Sequence, residues 1–230
     1  MTDWYPATLL ARAPAADGLT HLLLDVSGPP LRGTHERPGQ YVHIRLSGLP
    51  EAMFAIASPP GDTSQWDLLV KKDSPLTEAL LALPLGELVE VSRPAGRGFP
   101  LEEARGKDLL LFATGSGISP IRSVIESIRQ DRDAYGRVTL YFGARTPGAF
   151  AYMRDFAAWE QSRILVVPTV SQPGASGWQG LTGYVQAHLG DAPFSPGTMA
   201  FVCGQREMVQ GVIQTLRARG LPTSSIFLNF

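Results

Sequence analysis

The most constraining feature of this sequence is an apolar run that breaks into a Gly-x-Gly turn and then into a helix. Residues 109–113 carry no charge, which is typical of a parallel strand buried on both faces. Gly115 and Gly117 allow the turn to bring backbone N–H groups close to a ligand. Ser119 and Pro120 are predicted as the N-cap and first residue of a helix, whose start presents unpaired donors and a positive dipole. The turn is either a diphosphate cradle or an ordinary strand-to-helix turn, and the motif alone leaves both open.

Composition excludes several classes of protein. The chain of 230 residues, 44% of them hydrophobic, can form two modest domains or one large one. Its formal net charge of -1 gives no electrostatic reason to expect nucleic acid or an anionic membrane as partner. No run approaches about 18 apolar residues and residues 1–6 contain no base, so neither a membrane span nor a secretory signal is predicted. Cys203 is the single cysteine, which excludes a four-cysteine iron–sulfur cluster held by this chain alone.

The first half of the chain has the pattern of an antiparallel β domain. Up to about residue 100, short apolar strands alternate with turns that contain Pro and Gly, a spacing that usually closes into a barrel or sandwich. One helix interrupts them and is predicted at residues 75–83. The strands are predicted at residues 7–11, 20–26, 41–46, 53–57, 66–71 and 88–91.

The second half alternates apolar strands with helical periodicity, which indicates βαβ units around a parallel sheet. Its clearest helix is predicted at residues 206–219, where an apolar stripe recurs at helical spacing and Gly220 ends it. The chain is therefore expected to be β + α/β, with an antiparallel β-barrel domain at 1–101 and a parallel-sheet α/β domain at 102–230. Strands of the second half are predicted at residues 108–113, 138–142, 164–168, 199–203 and 226–228.

Six short motifs follow one another along the chain. They are Pro38-Gly39-Gln40-Tyr41-Val42, Phe54-Ala55-Ile56-Ala57-Ser58, Gly96-Arg97-Gly98-Phe99-Pro100, Thr114-Gly115-Ser116-Gly117-Ile118-Ser119-Pro120, Tyr141-Phe142-Gly143-Ala144-Arg145-Thr146 and Cys203-Gly204-Gln205. In this order and spacing the sequence resembles the ferredoxin-NADP reductase superfamily of flavin-dependent pyridine-nucleotide oxidoreductases. The resemblance implies a barrel that binds FAD or FMN, an α/β domain that binds NADH or NADPH, and hydride transfer from nicotinamide to flavin N5 between them. FAD and NAD(P)H are thus the expected cofactors, and no metal site is expected.

Two departures from the family pattern fall in the flavin site. In the family an Arg binds flavin phosphate, an aromatic residue packs on the isoalloxazine, and the next Ser bonds near N5; these positions are Ala52, Phe54 and Ala55 here. Loss of the charged contact leaves open a nucleotide-binding regulatory module that binds flavin poorly. Ser58 is either a ligand contact or a turn residue, and Lys71 is either a phosphate contact or a solvated strand end. The resemblance assigns flavin binding to Phe54, Ala55, Ile56, Ser58, Val70, Lys71, Ser74, Leu76 and Thr77.

The nucleotide site is expected where the parallel strands end. The resemblance places Cys203 beside nicotinamide C4 and Phe230 or Phe227 as an aromatic shield over the flavin. Cys203 is otherwise a small buried hydrophobe, and Phe227 is otherwise core. Gln172 stands where NADPH-selective members often carry Arg, which slightly favours NADH. Nucleotide contacts are assigned to Thr114, Gly115, Gly117, Arg145 and Gly204, of which Arg145 is otherwise an ordinary surface arginine.

The function predicted from the sequence is a cytoplasmic flavin-dependent oxidoreductase. It passes hydride from NAD(P)H to bound FAD and electrons on to an unidentified acceptor, for example a redox protein. The alternatives are the flavin-poor nucleotide-binding module and an electron-transfer subunit whose cluster-bearing partner is another chain. Acceptors dock on variable surface, so the sequence does not name the acceptor.

Overall fold

A computed structural model describes residues 3–61 and 63–229 of the chain. The first half forms a six-stranded antiparallel sheet in the order β4-β3-β6-β1-β2-β5, with one helix between its last two strands in sequence. These elements are β1 (Tyr5–Ala16), β2 (Leu19–Asp25), β3 (Tyr41–Arg45), β4 (Ala52–Ala55), β5 (Gln65–Lys71), α1 (Pro75–Ala82) and β6 (Leu88–Val91).

The two edge strands of this sheet meet and close it into a barrel, as predicted. An antiparallel bridge between Ile56 and Leu68 joins the end of β4 to β5. The barrel core is apolar and continuous, since side chains at alternate strand positions point inward. It includes Val42, Ile44 and Trp66, and Leu76 of α1 packs into it.

The second half forms a six-stranded sheet in the order β10-β9-β8-β7-β11-β12, and every strand pair in it is parallel. The predicted parallel α/β architecture is therefore confirmed. Its elements are β7 (Leu109–Thr114), α2 (Ile118–Gln130), β8 (Val138–Ala144), α3 (Phe156–Gln161), β9 (Ile164–Val170), β10 (Leu181–Thr182), β11 (Met199–Cys203), α4 (Arg206–Ala218) and β12 (Ile226–Leu228).

The parallel sheet is buried on both faces. Leu111 and Phe201 point to the face covered by α2 and α3, and Phe112 and Val202 point to the face covered by α4. This double burial explains the uncharged strands seen in the sequence. Because the strands run parallel, their carboxyl ends lie at one edge of the sheet.

The start of α2 differs from the prediction. Gly115–Gly117 forms a 3-10 turn that runs directly into α2, so the helix begins at Ile118 with Gly117 as N-cap and no side-chain cap. Ser119 lies inside the first turn with its hydroxyl buried, and its predicted N-cap role is wrong. Pro120 is not the first helical residue either; it is tolerated where it lies because N–H groups in the first turn have no helical acceptor.

The barrel packs against the α2 face of the parallel sheet. Leu19, Leu69 and Phe99 from the first half share one core cluster with the side chains of α2. The Phe99 ring stacks on Phe201 with 4.8 Å between centroids. A backbone hydrogen bond of 2.9 Å from the Asp17 N–H to the carbonyl of Gly148 adds a polar contact. The division into domains at residue 101 stays a prediction.

Candidate functional site

The carboxyl ends of β7 and β11 meet at the switch point of the parallel sheet. β7 lies between β8, which follows it in sequence, and β11, which comes from the far end of the chain. Cys203 pairs with Ala113, so the segments after both strands leave the sheet side by side. The Thr114 hydroxyl accepts a 2.9 Å hydrogen bond from the Gln205 N–H and joins the two segments. Open α/β sheets bind ligands at such a crevice.

The three glycines predicted to contact the nucleotide have different surroundings. A Cβ on Gly117 would lie 2.5 Å from the carbonyl oxygen of Cys203, and one on Gly204 would lie 2.2 Å from the Thr114 hydroxyl. These two glycines therefore allow the β7 and β11 loops to touch each other. Gly115 has φ +55 and nothing within 4 Å of its ideal Cβ position. Of the three, Gly115 is the one that opens onto space for a ligand.

Arg145 lies beyond the end of β8 and is exposed. Its carbonyl accepts a 2.8 Å hydrogen bond from the Gln172 N–H, so the two side chains emerge from neighbouring loops. Arg145 has no acidic partner among the residues that the structure describes. Its predicted contact with the nucleotide stays a prediction.

The Cys203 thiol is not a nucleophile in this structure. Burial raises its pKa to about 11, and a hydrogen bond with the Asn229 side chain opposes that rise. The same Asn229 reaches the barrel, because a Cβ on Gly39 would lie 2.9 Å from its Oδ1. The Asn229 side chain thus connects Cys203 to the barrel. Phe227 packs edge-on against Phe201, whereas the predicted shield Phe230 lies outside the described residues.

A slot opens between β4 and β5 on the barrel. Beyond the bridge at Ile56 and Leu68, no strand pairing joins these two strands in the described part of the chain. The Ile56 N–H donates to Gln40 on the β3 side, and the Ala57 N–H donates to Asp67 on β5. Alternate residues of an antiparallel strand direct their peptide groups to the same neighbour. The peptide groups of Ala55 and Leu69 therefore face each other, and the bridge at Ile56 and Leu68 pairs the Leu69 N–H with the Ala55 carbonyl, so the Ala55 N–H and the Leu69 carbonyl are the groups of this pair on the slot side.

The expected flavin contact of Val70 stays a prediction. Val70 pairs with Thr20 of β2, and its peptide groups face β2 rather than the slot. Leu69, which sequence reasoning missed, has its carbonyl on the slot side instead. The sequence contains one signal for this, the alternation of residues along the strand. The hydrogen bond from the Ala57 N–H to the Asp67 carbonyl, which shows which set of residues faces β4, is seen only in the structure. Phe54 and Ile56 are nearly fully buried in the barrel core, so little of their surface is left for a ligand and their flavin contacts stay predictions.

The slot lies next to the nucleotide loop. Cα atoms of β5 come within 8 Å of those in the turn Gly115–Gly117. The Ser58 hydroxyl accepts from the Asp67 N–H at 3.2 Å, and the Ser58 carbonyl accepts from the Ser123 hydroxyl of α2 at 2.7 Å. Ser58 thus supports the wall between the two sites, which is nearer to the turn-residue interpretation than to a ligand contact.

The start of α1 is largely occupied by its own hydrogen bonds. The Ser74 hydroxyl accepts from the Thr77 N–H, while the Thr77 hydroxyl accepts from the N–H groups of Asp73 and Ser74. Lys71 lies 3.4 Å from Asp73 in an exposed ion pair that offsets its charge. The free donor that helix geometry leaves here is the Leu76 N–H. A phosphate at α1 would therefore be held weakly.

The structure fits a flavin ring and a nicotinamide nucleotide better than it fits the phosphates of a flavin. The edge of an isoalloxazine alternates donors and acceptors, and the Ala55 N–H and the Leu69 carbonyl, one donor and one acceptor on the slot side, are complementary to it. Gly115 gives a diphosphate close access to backbone donors at the start of a helix. Ala52, in the position of the family's phosphate-binding arginine, supplies no charge. Within residues 3–61 and 63–229 no cluster of three metal-binding side chains occurs.

The chain is similar to known oxidoreductases. The oxidoreductase NAD-binding domain family matches residues 111–214. The gamma subunit of sulfhydrogenase 1 from Pyrococcus furiosus is 30% identical over 197 residues, which cover 84% of this chain and 67% of that protein. Ferredoxin–NADP reductase B from Sorangium cellulosum is 30% identical over 204 residues, which cover 82% of each chain.

Structural comparison gives the same fold. A cytochrome P450 reductase from Amycolatopsis superimposes with a TM-score of 0.85 at 22% identity, over all of this chain and 70% of that one. The superposition includes both the barrel and the parallel α/β half. The chain belongs to the ferredoxin-NADP reductase superfamily.

Proposed function

We propose that this protein is a flavin-dependent oxidoreductase that passes hydride from NAD(P)H to bound FAD and then passes electrons to a separate acceptor. The observation that carries the proposal is the contact between β5 and the turn Gly115–Gly117. This contact supports the proposal because the proposed flavin-binding strand would then lie beside the proposed nucleotide loop. FAD and NAD(P)H are the cofactors, and the acceptor is a redox partner outside this chain. We further propose that the protein works in the cytoplasm.

The residues of this chain bind and orient rather than react. The peptide groups of Ala55 and Leu69 would hold the edge of the flavin ring, and the turn at Gly115 would hold the nucleotide diphosphate. Cys203 and Gly204 would border the nicotinamide, with the thiol kept protonated by its raised pKa. Bound flavin supplies the hydride acceptor and releases electrons to the next carrier. The protein accelerates transfer by fixing geometry and excluding water.

An anaerobic absorption titration tests the proposal. The purified protein is incubated with FAD, freed of excess cofactor and mixed with NADH or NADPH without oxygen. We expect a flavin spectrum that is bleached by at least one nucleotide. Both nucleotides are needed because the neutral Gln172 favours NADH, whereas Arg145 beside it would favour NADPH. A protein that retains no flavin and oxidises neither nucleotide would contradict the proposal.

A second function, the electron-transfer subunit of a larger complex, is favoured by the similarity to a sulfhydrogenase gamma subunit. Cys203 is the single cysteine of this chain, so an iron–sulfur cluster in such a complex would belong to another subunit. Purification from the native source separates the two functions. A stable complex with a cysteine-rich protein supports the subunit, and full reductase activity of the isolated chain with a soluble acceptor supports the independent enzyme.

A further inference from the structure

The interface between the two halves contains one arginine with partners on both sides. Arg122 lies in the second turn of α2, with 17% of its side chain exposed. Its Nη1 donates to the Ala57 carbonyl at 3.1 Å and to Asp67 Oδ2 at 3.2 Å, both in the first half. Its Nε donates to Asp155 at 3.3 Å, and its guanidinium lies 4.7 Å from the ring centre of Tyr152, both in the second half. Arg122 thus joins one nucleotide-binding helix to two segments of the barrel.

The barrel partners of Arg122 border the flavin slot. Ala57 follows β4 by two residues, and Asp67 lies in β5 two residues before Leu69. Through these contacts Arg122 holds the segment that follows β4 and a residue within β5, the two strands that frame the slot. At its other end, α2 begins directly at the turn that contains Gly115. One side chain therefore connects the walls of both cofactor sites.

Further polar contacts surround the pair formed by Arg122 and Asp67. Asp67 also accepts a 2.7 Å hydrogen bond from His21 Nε2. Burial alone would raise the pKa of Asp67, but the hydrogen bond from His21 and the charge of Arg122 hold it below its ordinary value. The carboxylate is thus ionised at neutral pH and available to the guanidinium. Beside this pair, the 2.7 Å bond from Ser123 to the Ser58 carbonyl adds a second link between α2 and the barrel.

We propose that Arg122 is a positioning residue for hydride transfer, because it fixes α2 and its nucleotide loop against the strands that hold the flavin ring. The inference rests on the proposed function. In the step concerned, the C4–H bond of the dihydronicotinamide breaks and an N–H bond forms at flavin N5. The hydride carries both electrons, so the nucleotide is oxidised and the flavin is reduced. Rates of such transfers depend steeply on the separation of the reacting atoms.

The test compares Arg122→Met with Arg129→Met, which serves as the matched control. Arg129 lies on the same helix, but it pairs with Glu126 and Ser162 inside the second half. The rate constant of flavin reduction and the Kd of the nucleotide are measured by anaerobic stopped-flow absorption. We expect Arg122→Met to lower the rate constant by about tenfold or more. The Kd should stay within about twofold, since no contact with the nucleotide is removed. Arg129→Met should change neither quantity.

A second measurement does not depend on turnover. Hydrogen exchange is recorded on each protein as purified, without nucleotide. Arg122→Met should speed exchange at Ala57 and along β5, because the link to α2 is lost, while exchange in α4 stays as in the wild type. Unchanged exchange together with an unchanged reduction rate would overturn the inference. If the wild type itself is not reduced by either nucleotide, the proposed function fails, and the exchange comparison still decides whether Arg122 couples the halves.

Ser123→Ala keeps the inference testable if Arg122→Met folds poorly. This variant removes a single hydrogen bond at the same interface and leaves every charge in place. We expect full flavin content and a slower reduction rate in the same direction as Arg122→Met, by a smaller factor. The inference would also be overturned by two results together. In these results, Ser123→Ala reduces flavin at the wild-type rate, and the lower rate of Arg122→Met is fully accounted for by its lower flavin content.

Discussion

At the scale of single residues, the glycines after β7 divide between packing and access. Gly117 and Gly204 allow the loops after β7 and β11 to touch, whereas Gly115 combines a positive φ with open space. All three were predicted to contact the nucleotide, since a glycine motif does not show what lies beside each glycine. The same limit applies to Val70 and Leu69. Adjacent residues of a strand direct their peptide groups to opposite sides, and only the pairing of β5 with β2 shows which side each residue faces. Residue types were thus predictable, but their directions were not.

Gly115→Ala and Gly117→Ala should therefore lose stability for different reasons. The methyl group on Gly115 meets no protein atom, so the variant should lose about 1–2 kcal/mol of stability from its left-handed backbone and bind the nucleotide more weakly. The methyl group on Gly117 strikes the backbone of Cys203 and Gly204, so stability should fall by about 1–3 kcal/mol from overpacking. Thermal unfolding and nucleotide titration separate the two. Equal nucleotide affinity in Gly115→Ala and the wild type would contradict the assignment of the open cradle.

At the scale of elements, regular patterns were predictable and interrupted ones were not. The parallel strands and α4 were expected nearly in full, because long buried segments repeat one period. β1 extends over 12 residues, against five predicted, because register shifts near Leu9 and Pro14 break its alternation. β10 has two residues, too few to form a pattern, and it was not predicted. The predicted start of α2 was wrong by two residues, because the 3-10 turn Gly115–Gly117 runs directly into the helix and Gly117 takes the N-cap position expected for Ser119.

The reciprocal hydrogen bonds at the start of α1 give a prediction at this scale. Ser74→Ala removes the cap to the Thr77 N–H and should lower the free energy of unfolding by about 1 kcal/mol. Ser47→Ala is the control, since Ser47 is an exposed turn residue with no side-chain hydrogen bond in the described part of the chain. Both are measured by denaturant unfolding of the protein as purified. Equal stability of the two variants would show that the cap contributes nothing to α1.

At the scale of the whole molecule, function depends on how the two halves meet. The sequence predicted a barrel followed by an α/β half, but their contacts join residues far apart in the chain. The Phe99–Phe201 stack, the bond from Asp17 to Gly148 and the contacts of Arg122 are of this kind. No local pattern predicts such pairs, because propensity and periodicity describe only neighbours along the chain. The interface was therefore the part of the site that needed the structure.

The central claim is that the flavin ring and the nicotinamide ring face each other across this interface. A crystal structure of the protein with FAD and oxidised nicotinamide nucleotide tests it most directly. The account predicts the isoalloxazine edge against the peptide groups of Ala55 and Leu69, the diphosphate at Gly115, and the nicotinamide beside Cys203. Ligands bound in pockets that open away from each other, or a slot filled by protein side chains when both ligands are present, would contradict it.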